Sequence, residues 1–381
     1  MLKKSVLILL SLTIFVLTAC SSEEVLPDVS VEIGDGAKPE IVETLNIVVN
    51  NDDRLLLMNV LTGEVLHEFF LPEGETIWAT QKIENGYLGI FSVSGMVDGF
   101  LRLSEEEPEA TKFLYILDGE LNLVSEFTLT SDHLIVNTHD ALILFENGEW
   151  MIYYYNADDK NIHRYQTAIN KTALFFELDD DLSPGRLQQV SENQIGFFAH
   201  DWDFESPNFY YGQIDKQTNH LTLFEEELSD FAIGEMFIYN EHVLFTEHPS
   251  LEIQSKVVVL DLTTGHFQKI QLEGSESVSG HPTIISKGRL IFTINNTWIE
   301  TDQIRLRVYD KQPVQVLAEK EILREDLNLA EDEVLMFTNH LEIDETYSAF
   351  IIAISTWSNR EFSLDDLRFF VEFIRVEHIG E

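Results

Sequence analysis

Short apolar runs stopped by Gly, Asn or Asp recur along this chain from about residue 41 to its end. Arg54 to Val60, Phe113 to Leu117, Lys256 to Leu262 and Ile304 to Tyr309 are rich in Val, Ile, Leu, Phe and Tyr, a composition that fits a pleated, half-buried surface. The 3.6-residue period of an amphipathic helix is absent beyond a turn or two around Asp326 to Asp332. The chain is therefore expected to be all-β.

The runs come in a fixed order. An apolar strand reaches a polar pivot, a tight turn follows, and a second strand ends on an apolar residue. Asn59 leads through Leu61-Thr62-Gly63 to Leu71, Asp118-Gly119 to Leu129, and Asn170-Lys171 to Leu178. Asp215 leads through Lys216 to Asn219 and on to Phe224, Asp261 through Thr263-Thr264-Gly265 to Leu272, and Asp310-Lys311 to Leu323. Successive pivots are 59, 52, 45, 46 and 49 residues apart, near the roughly 40 to 50 residues of a four-stranded propeller blade.

A second hairpin is expected within each repeat. Its turns are Asn85-Gly86, Asn147-Gly148, Glu192-Asn193, Asn240-Glu241, Lys287-Gly288 and Asp344-Glu345. Asn-Gly is favoured in two-residue hairpins because both positions accept positive φ. Apolar strands follow these turns, among them Tyr87 to Val93, Trp150 to Tyr155 and Ala349 to Ile354. Six four-stranded units are visible, with an extra strand group at Leu45 to Leu71 and a last unit that stops after its third strand at Phe369 to Val376. An N-terminal strand added to that last unit would close a ring and remove two sheet edges.

This arrangement resembles the β-propeller superfamily, and within it bacterial extracytoplasmic propellers of the YVTN and quinoprotein-like kind. The resemblance covers residues 41–381 and rests on period and turn chemistry, for Gly-His and Trp-Asp dipeptides do not recur as the paired signature of WD repeats. It implies a β-propeller of four-stranded blades, seven in number with six as the alternative. A β-sandwich or a pair of smaller β domains is the competing architecture.

With strands a to d running outward in each blade, the b-to-c loops share one face. They carry His200, Asp201, Trp202, Asp203 and Glu205, then His248, Trp298 and Trp357. Three of the five tryptophans thus occupy the same place in the repeat. An indole in a loop is a stacking platform for sugars, cations or rings, or else packing between neighbouring blades. His200, Trp202, His248, Trp298 and Trp357 are the candidate binding face. Asp201, Asp203 and Glu205 are candidate calcium ligands, although the spacing of an EF-hand is absent. No other cofactor is expected and no catalytic residue stands out, since the zincin, Gly-x-Ser-x-Gly, P-loop and dinucleotide signatures are missing.

Composition narrows the partners. The formal charge is -43, with 67 Asp and Glu against 24 Lys and Arg, a field that repels nucleic-acid phosphates and anionic lipid surfaces. A protein or carbohydrate partner remains open. With 44% hydrophobic residues and 26 Phe the chain can build a large core, and with one cysteine it has no internal disulfide.

The N-terminus sets the address. Lys3 and Lys4 precede an apolar run from Val6 to Leu17, and the segment LTAC at 17–20 resembles the lipobox of bacterial lipoproteins, in which the cysteine takes a diacylglycerol and becomes the new N-terminus. Residues 1–19 are expected to be a signal peptide, Cys20 the lipidated residue, 20–40 a polar linker, and 41–381 the propeller. Cleavage removes Lys3 and Lys4 and no other charge, which moves the formal charge from -43 to -45. The expected role is a membrane-anchored, extracytoplasmic binding or assembly module. The alternative is an extracytoplasmic enzyme, either a carbohydrate hydrolase or lyase or a quinoprotein-like dehydrogenase. Cys20→Ser is expected to release the protein from the membrane or to leave it as uncleaved precursor in a fractionation blot; a processed mutant that stays in the membrane fraction would refute the anchor.

Overall fold

The computed structural model describes residues 30–33, 44–51, 53–94, 112–129, 141–156, 159–178, 182–200, 208–227, 233–239, 242–247, 256–271, 283–284, 290–295, 303–311, 314–323, 325–330, 333–343, 347–358, 361–362 and 367–375. These residues form seven sheets, and no α-helix occurs among them.

A short strand, β1 (Ser30–Ile33), comes first. The first sheet orders β2 (Asn46–Asn51), β3 (Arg54–Asn59) and β4 (Glu64–Phe70). The second orders β5 (Glu75–Ile83), β6 (Tyr87–Ser94), β7 (Lys112–Leu117) and β8 (Leu123–Leu129). The third holds β9 (Leu142–Glu146), β10 (Glu149–Asn156), β11 (Asn161–Gln166) and β12 (Lys171–Phe176), and the fourth β13 (Ser183–Ser191), β14 (Gln194–His200), β15 (Asn208–Asp215) and β16 (His220–Glu227). The fifth holds β17 (Ile233–Tyr239), β18 (His242–Glu247), β19 (Lys256–Asp261) and β20 (His266–Gln271). The sixth holds β21 (Thr283–Ile284), β22 (Leu290–Asn295), β23 (Gln303–Lys311) and β24 (Val314–Leu323). The seventh is built from β25 (Glu333–Glu342), β26 (Tyr347–Ser358) and β28 (Arg368–Arg375), with β27 (Glu361–Phe362) paired to the end of β26. Apart from β1, every pairing is antiparallel and follows chain order, the meander of a propeller blade.

The turns form where positive φ is cheap. Asn147 and Gly148 adopt φ of 53° and 85° between β9 and β10, and Asn85 and Gly86 adopt 64° and 81° between β5 and β6. At the outer corners an aspartate does the capping. Asp215 Oδ1 accepts from the amides of Gln217 at 2.9 Å and Thr218 at 2.8 Å, and Asp261 Oδ1 repeats this with Thr263 at 2.8 Å and Thr264 at 3.1 Å. The polar pivots Asp118, Asp215 and Asp261 are therefore Asx-type caps. Hydrogen bonds from the amides of Thr218 and Thr264 hold these two carboxyls below the ordinary aspartate range.

The chain divides into two compact units, residues 45–59 with 64–227 and residues 228–381 with 26–44 and 60–63. In the first, the sheets stack face to face. The second strand of each sheet is apolar on both sides, as in Tyr87–Ser94, where six of eight residues are buried, whereas the outermost strand is largely exposed, as in Glu64–Phe70. One core joins the first and second sheets through Val48, Leu57, Leu88 and Tyr115. A further core joins the second and third through Phe91, Leu114, Ile143 and Tyr165, and another joins the third and fourth through Leu144, Tyr153, Ile195 and Phe197. The approach is close: a Cβ on Gly89 would stand 2.5 Å from Ile143 Cδ1 of the next sheet.

In the second unit, Ala349 to Ile354 and Phe369 are fully buried in the seventh sheet. Two features extend what the sequence implies. The stretch read as polar linker contains β1, which pairs with β28 in parallel, Ser30 opposite Arg368 through Ile33 opposite Val371. The seventh sheet thus gains its fourth strand from the N-terminal side of the chain. Arg368, at the start of β28, donates from Nε to Glu333 Oε1 at 2.7 Å and from Nη2 to Glu333 Oε2 at 2.8 Å and the Leu327 carbonyl at 2.7 Å. This fork holds the Glu333 carboxyl below its usual range.

Glu333 therefore contributes stability above its unfolded value of about 4.3, and the contribution drains away as pH falls through the lower folded value. Arg368→Ala is expected to cost about 2 to 3 kcal/mol at neutral pH and to flatten the loss of melting temperature between about pH 5 and pH 3. Calorimetric scans across that range check both, and an unchanged acid slope would count against the pair.

Candidate functional site

The residues nominated from the sequence divide sharply. Cys20, Asp201, Trp202, Asp203, Glu205, His248 and Trp298 lie outside the described residues. The backbones of His200 and Trp357 are described. His200 is the last residue of β14, opposite Ser183 and Phe209, and Trp357 is next to last in β26, opposite Phe362. Both stand where the second strand of a sheet runs out towards the b-to-c loop, the place in the repeat that the sequence assigns them. The two tryptophans with described side chains pack: Trp150 is buried and Trp78 partly buried in the core between the second and third sheets.

At the b-to-c end of the second sheet sits a buried acid. Glu75, 8% exposed at the start of β5, accepts from Ser92 Oγ at 2.5 Å and from Tyr115 Oη at 2.9 Å. Burial, and after it the bond to Glu75, pushes the Tyr115 phenol above its ordinary range. Three adjacent strands each contribute one member, so the trio pins β5, β6 and β7 together. Among the described residues its acid has two donors, Ser92 and Tyr115.

The opposite end of the sheets carries a cavity. It encloses about 850 Å³, within the range of small-molecule sites, and is lined from the second, third and fourth sheets. The a-to-b hairpins supply its rim through Asn85, Asn147 and Asn193. Asn85 and Asn147 are present because their hairpins need positive φ, and their side-chain amides come with the turn. Phe145 and Trp150 flank the Asn147-Gly148 turn as cross-strand partners, with ring centroids 4.8 Å apart, and Tyr87 of the neighbouring sheet meets Trp150 edge-on at 5.7 Å. Trp150 is 7% exposed and Phe145 59%, so the buried indole carries the open ring.

The charged groups in the wall are partly committed. Glu146 accepts from Tyr153 Oη at 2.6 Å and from Lys216 Nζ of the fourth sheet. Burial, then the Glu146 hydrogen bond, pushes the Tyr153 phenol up. Arg164 and Gln189 line the same cavity, and Arg164 Nε and Gln189 Oε1 are buried with no hydrogen-bond partner among the described residues. Chemically, the site offers an aromatic face and side-chain amides beside the Glu146–Lys216 ion pair. Among the described residues no group of three or more His, Cys, Asp or Glu is placed to hold a metal.

Sequence reasoning named Asn85, Asn147 and Asn193 only as turn formers and placed Trp150 only in an apolar strand. A usable signal was present, in that a cation on a mid-sheet strand, Arg164, and one at an outer corner, Lys216, interrupt an otherwise acidic and apolar pattern.

No family model matches the chain, and no curated protein matches it. Solved structures similar to it are β-propeller proteins. Oligogalacturonate lyase in complex with manganese is 12% identical with a TM-score of 0.46 over 84% of this chain and 83% of that one. TolB from Acinetobacter baumannii is 12% identical with a TM-score of 0.38 over 88% and 80%. Dihydro-heme d1 dehydrogenase NirN in complex with DHE is 11% identical with a TM-score of 0.43 over 88% and 73%. Likenesses at this level carry nothing about activity. The repeated four-stranded meanders themselves make the chain an all-β protein of the β-propeller class.

Glu146→Ala removes the acceptor of two groups at once, leaving a half-buried ammonium and a buried phenol unpaired. The variant is expected to lose about 2 to 4 kcal/mol in denaturant unfolding, and Glu146→Gln, which keeps an acceptor, to lose less; equal stability of all three proteins would show that the Glu146 contacts do not form.

Proposed function

We propose that the protein is a lipid-anchored binding module on the extracytoplasmic side of the cell membrane. In this reading its sheets are propeller blades, and the hairpin-end cavity of the second to fourth sheets takes the ligand. The observation that carries it is the state of Glu146, the part-buried acid of that cavity, whose other acid, Glu192, is exposed at a hairpin turn. A general acid or base must exchange a proton with substrate, whereas Glu146 is occupied by Tyr153 Oη at 2.6 Å and by Lys216. A wall of amides and rings with its part-buried acid already engaged favours holding a ligand over transforming one. The N-terminal lipobox-like segment supports the address, and the acidic charge argues against nucleic acid.

The aromatic b-to-c rim, with His200, Trp202, His248, Trp298 and Trp357, is a second surface for a protein partner. Its support is positional, since His200 and Trp357 stand at the ends of second strands. Calcium at Asp201, Asp203 and Glu205 belongs to this rim as well. An extracytoplasmic enzyme is the rival reading, and it needs a free acid in the cavity or on the rim.

A thermal-shift screen of the purified full-length protein against envelope oligosaccharides and short peptides tests the assignment. A ligand at a hundred times its Kd adds about 2.7 kcal/mol of stability. The shift is expected to vanish in Phe145→Ala, to persist in Trp357→Ala, and to leave the ligand chemically intact. A shift lost only in Trp357→Ala would move the site to the rim, and turnover of the ligand would make the protein an enzyme.

A further inference from the structure

We infer that the b-to-c end of the seventh sheet is the end turned to the membrane, because the polarity of β1 delivers the anchored side of the chain there. The inference rests on Cys20 as the lipid anchor and goes on to name the surface that the anchor holds towards the bilayer.

The register of the sheet fixes its two ends. Glu333 of β25 stands opposite Thr356 of β26, and Ile354 of β26 opposite Arg368 of β28, so the start of β25, the end of β26 and the start of β28 lie together at the b-to-c end. Arg368 Nη2 donates to the carbonyls of Leu327 at 2.7 Å and Asn328 at 3.3 Å, which ties the turn between β24 and β25 to the same end. Glu325, Asp326 and Ala330 of that turn are exposed. At the far end Glu342 faces Ser348 and Tyr347 faces Arg375.

β1 decides which end the N-terminal side of the chain uses. Its pairing with β28 is parallel, Ser30 opposite Arg368 and Ile33 opposite Val371. The chain preceding Ser30 therefore enters the sheet past Arg368, at the b-to-c end. An antiparallel β1, paired as β26 is with β28, would have pointed those residues towards Arg375 instead.

The leash is too short to undo that polarity. Ser30 lies ten positions after Cys20, and Arg375 seven after Arg368. In an inverted molecule seven of the ten would run back alongside β28 and three, 10 − 7, would remain to reverse direction and clear the β25–β26 hairpin. Three extended residues reach about 10 Å. Surface charge favours the other arrangement, since Glu325 and Asp326 are exposed at the b-to-c end and Arg375 at the far end, and anionic lipid attracts cations. Strand polarity and surface charge thus make opposite predictions. Trp357, next to last in β26, has its backbone at the membrane-side end, so a partner at that part of the rim meets the protein from the membrane.

The test uses full-length lipidated protein in phosphatidylcholine vesicles. With Cys20 acylated, a cysteine introduced at Ala330→Cys or Arg375→Cys is the one free thiol, and each is labelled with a donor dye whose energy transfer to a headgroup-labelled lipid reports height above the bilayer. Transfer is expected to be about twofold or more greater from position 330 than from 375, because seven strand residues separate the two ends by about 23 Å. Replacing Val31 and Glu32 together by Pro removes the backbone donor facing β28 whichever of the two carries it, and is expected to narrow the difference, with melting curves confirming the fold. Equal or reversed transfer in vesicle-bound protein overturns the orientation while the anchor stands. So does a ranking that reverses when phosphatidylglycerol is added, or one that the folded double-proline variant leaves unchanged. Protein that fails to float with the vesicles overturns the anchor itself. The comparison of 330 with 375 decides the orientation whether or not the double-proline variant folds.

Discussion

A strand that is apolar on both faces cannot lie on a surface. In Arg54–Asn59, Tyr87–Ser94 and Glu149–Asn156 nearly every residue is buried irrespective of the side it points to, so each of these sheets must be covered on two sides. Another sheet of the same kind is the available cover, and it in turn needs its own. In the first unit this produces three successive cores between four sheets. Each core joins neighbouring repeats, and burial of a Val, Leu, Ile or Phe side chain is worth about 1.5 to 3 kcal/mol. No repeat holds enough apolar surface within itself to be stable alone. The outermost strands escape the constraint, and it is there that Leu66, Phe70 and Leu174 remain open to solvent.

The same stacking makes the cavity. Sheets joined by their flat faces leave their hairpins standing free at one end, and where three hairpins meet they enclose space. Part of its rim is a by-product of turn chemistry, since Asn85 and Asn147 are suited to the positive φ of their turns. The less expected contribution is the bridge from Glu146 to Lys216, which spans 70 positions of sequence. It ties the hairpin of the third sheet to the outer corner of the fourth and fixes the wall on that side. The stability of that wall and the shape of the cavity therefore rest on the same ion pair.

The repeat was legible because its punctuation is local. Asn85-Gly86, Asn147-Gly148, Asn170 and Asn219 all adopt the positive φ that their type favours, and the Asp pivots at 118, 215 and 261 accept backbone amides within their own turns. Such signals need no knowledge of the rest of the chain. The cavity was not legible, for its wall mixes Arg164 on one strand, Gln189 on another and Phe145 on a third, and their proximity is decided by which sheets neighbour one another. The strand Ser30–Ile33 was hidden for a related reason. Its four residues sit among Pro27, Gly34, Asp35 and Gly36, and its partner lies more than three hundred positions away, so local composition argued for a spacer.

That short parallel strand sets a length. Ser30 lies only ten positions after Cys20, and a fully extended chain covers at most about 3.3 to 3.6 Å per residue. With a lipid on Cys20, the leash between bilayer and seventh sheet would be about 35 Å at full stretch, scarcely more than the thickness of the hydrocarbon core itself. A protein on so short a leash searches a thin layer and not a volume. It would meet what is bound to, or emerging from, the same membrane, and material free in the surroundings would reach it only by coming down to that layer.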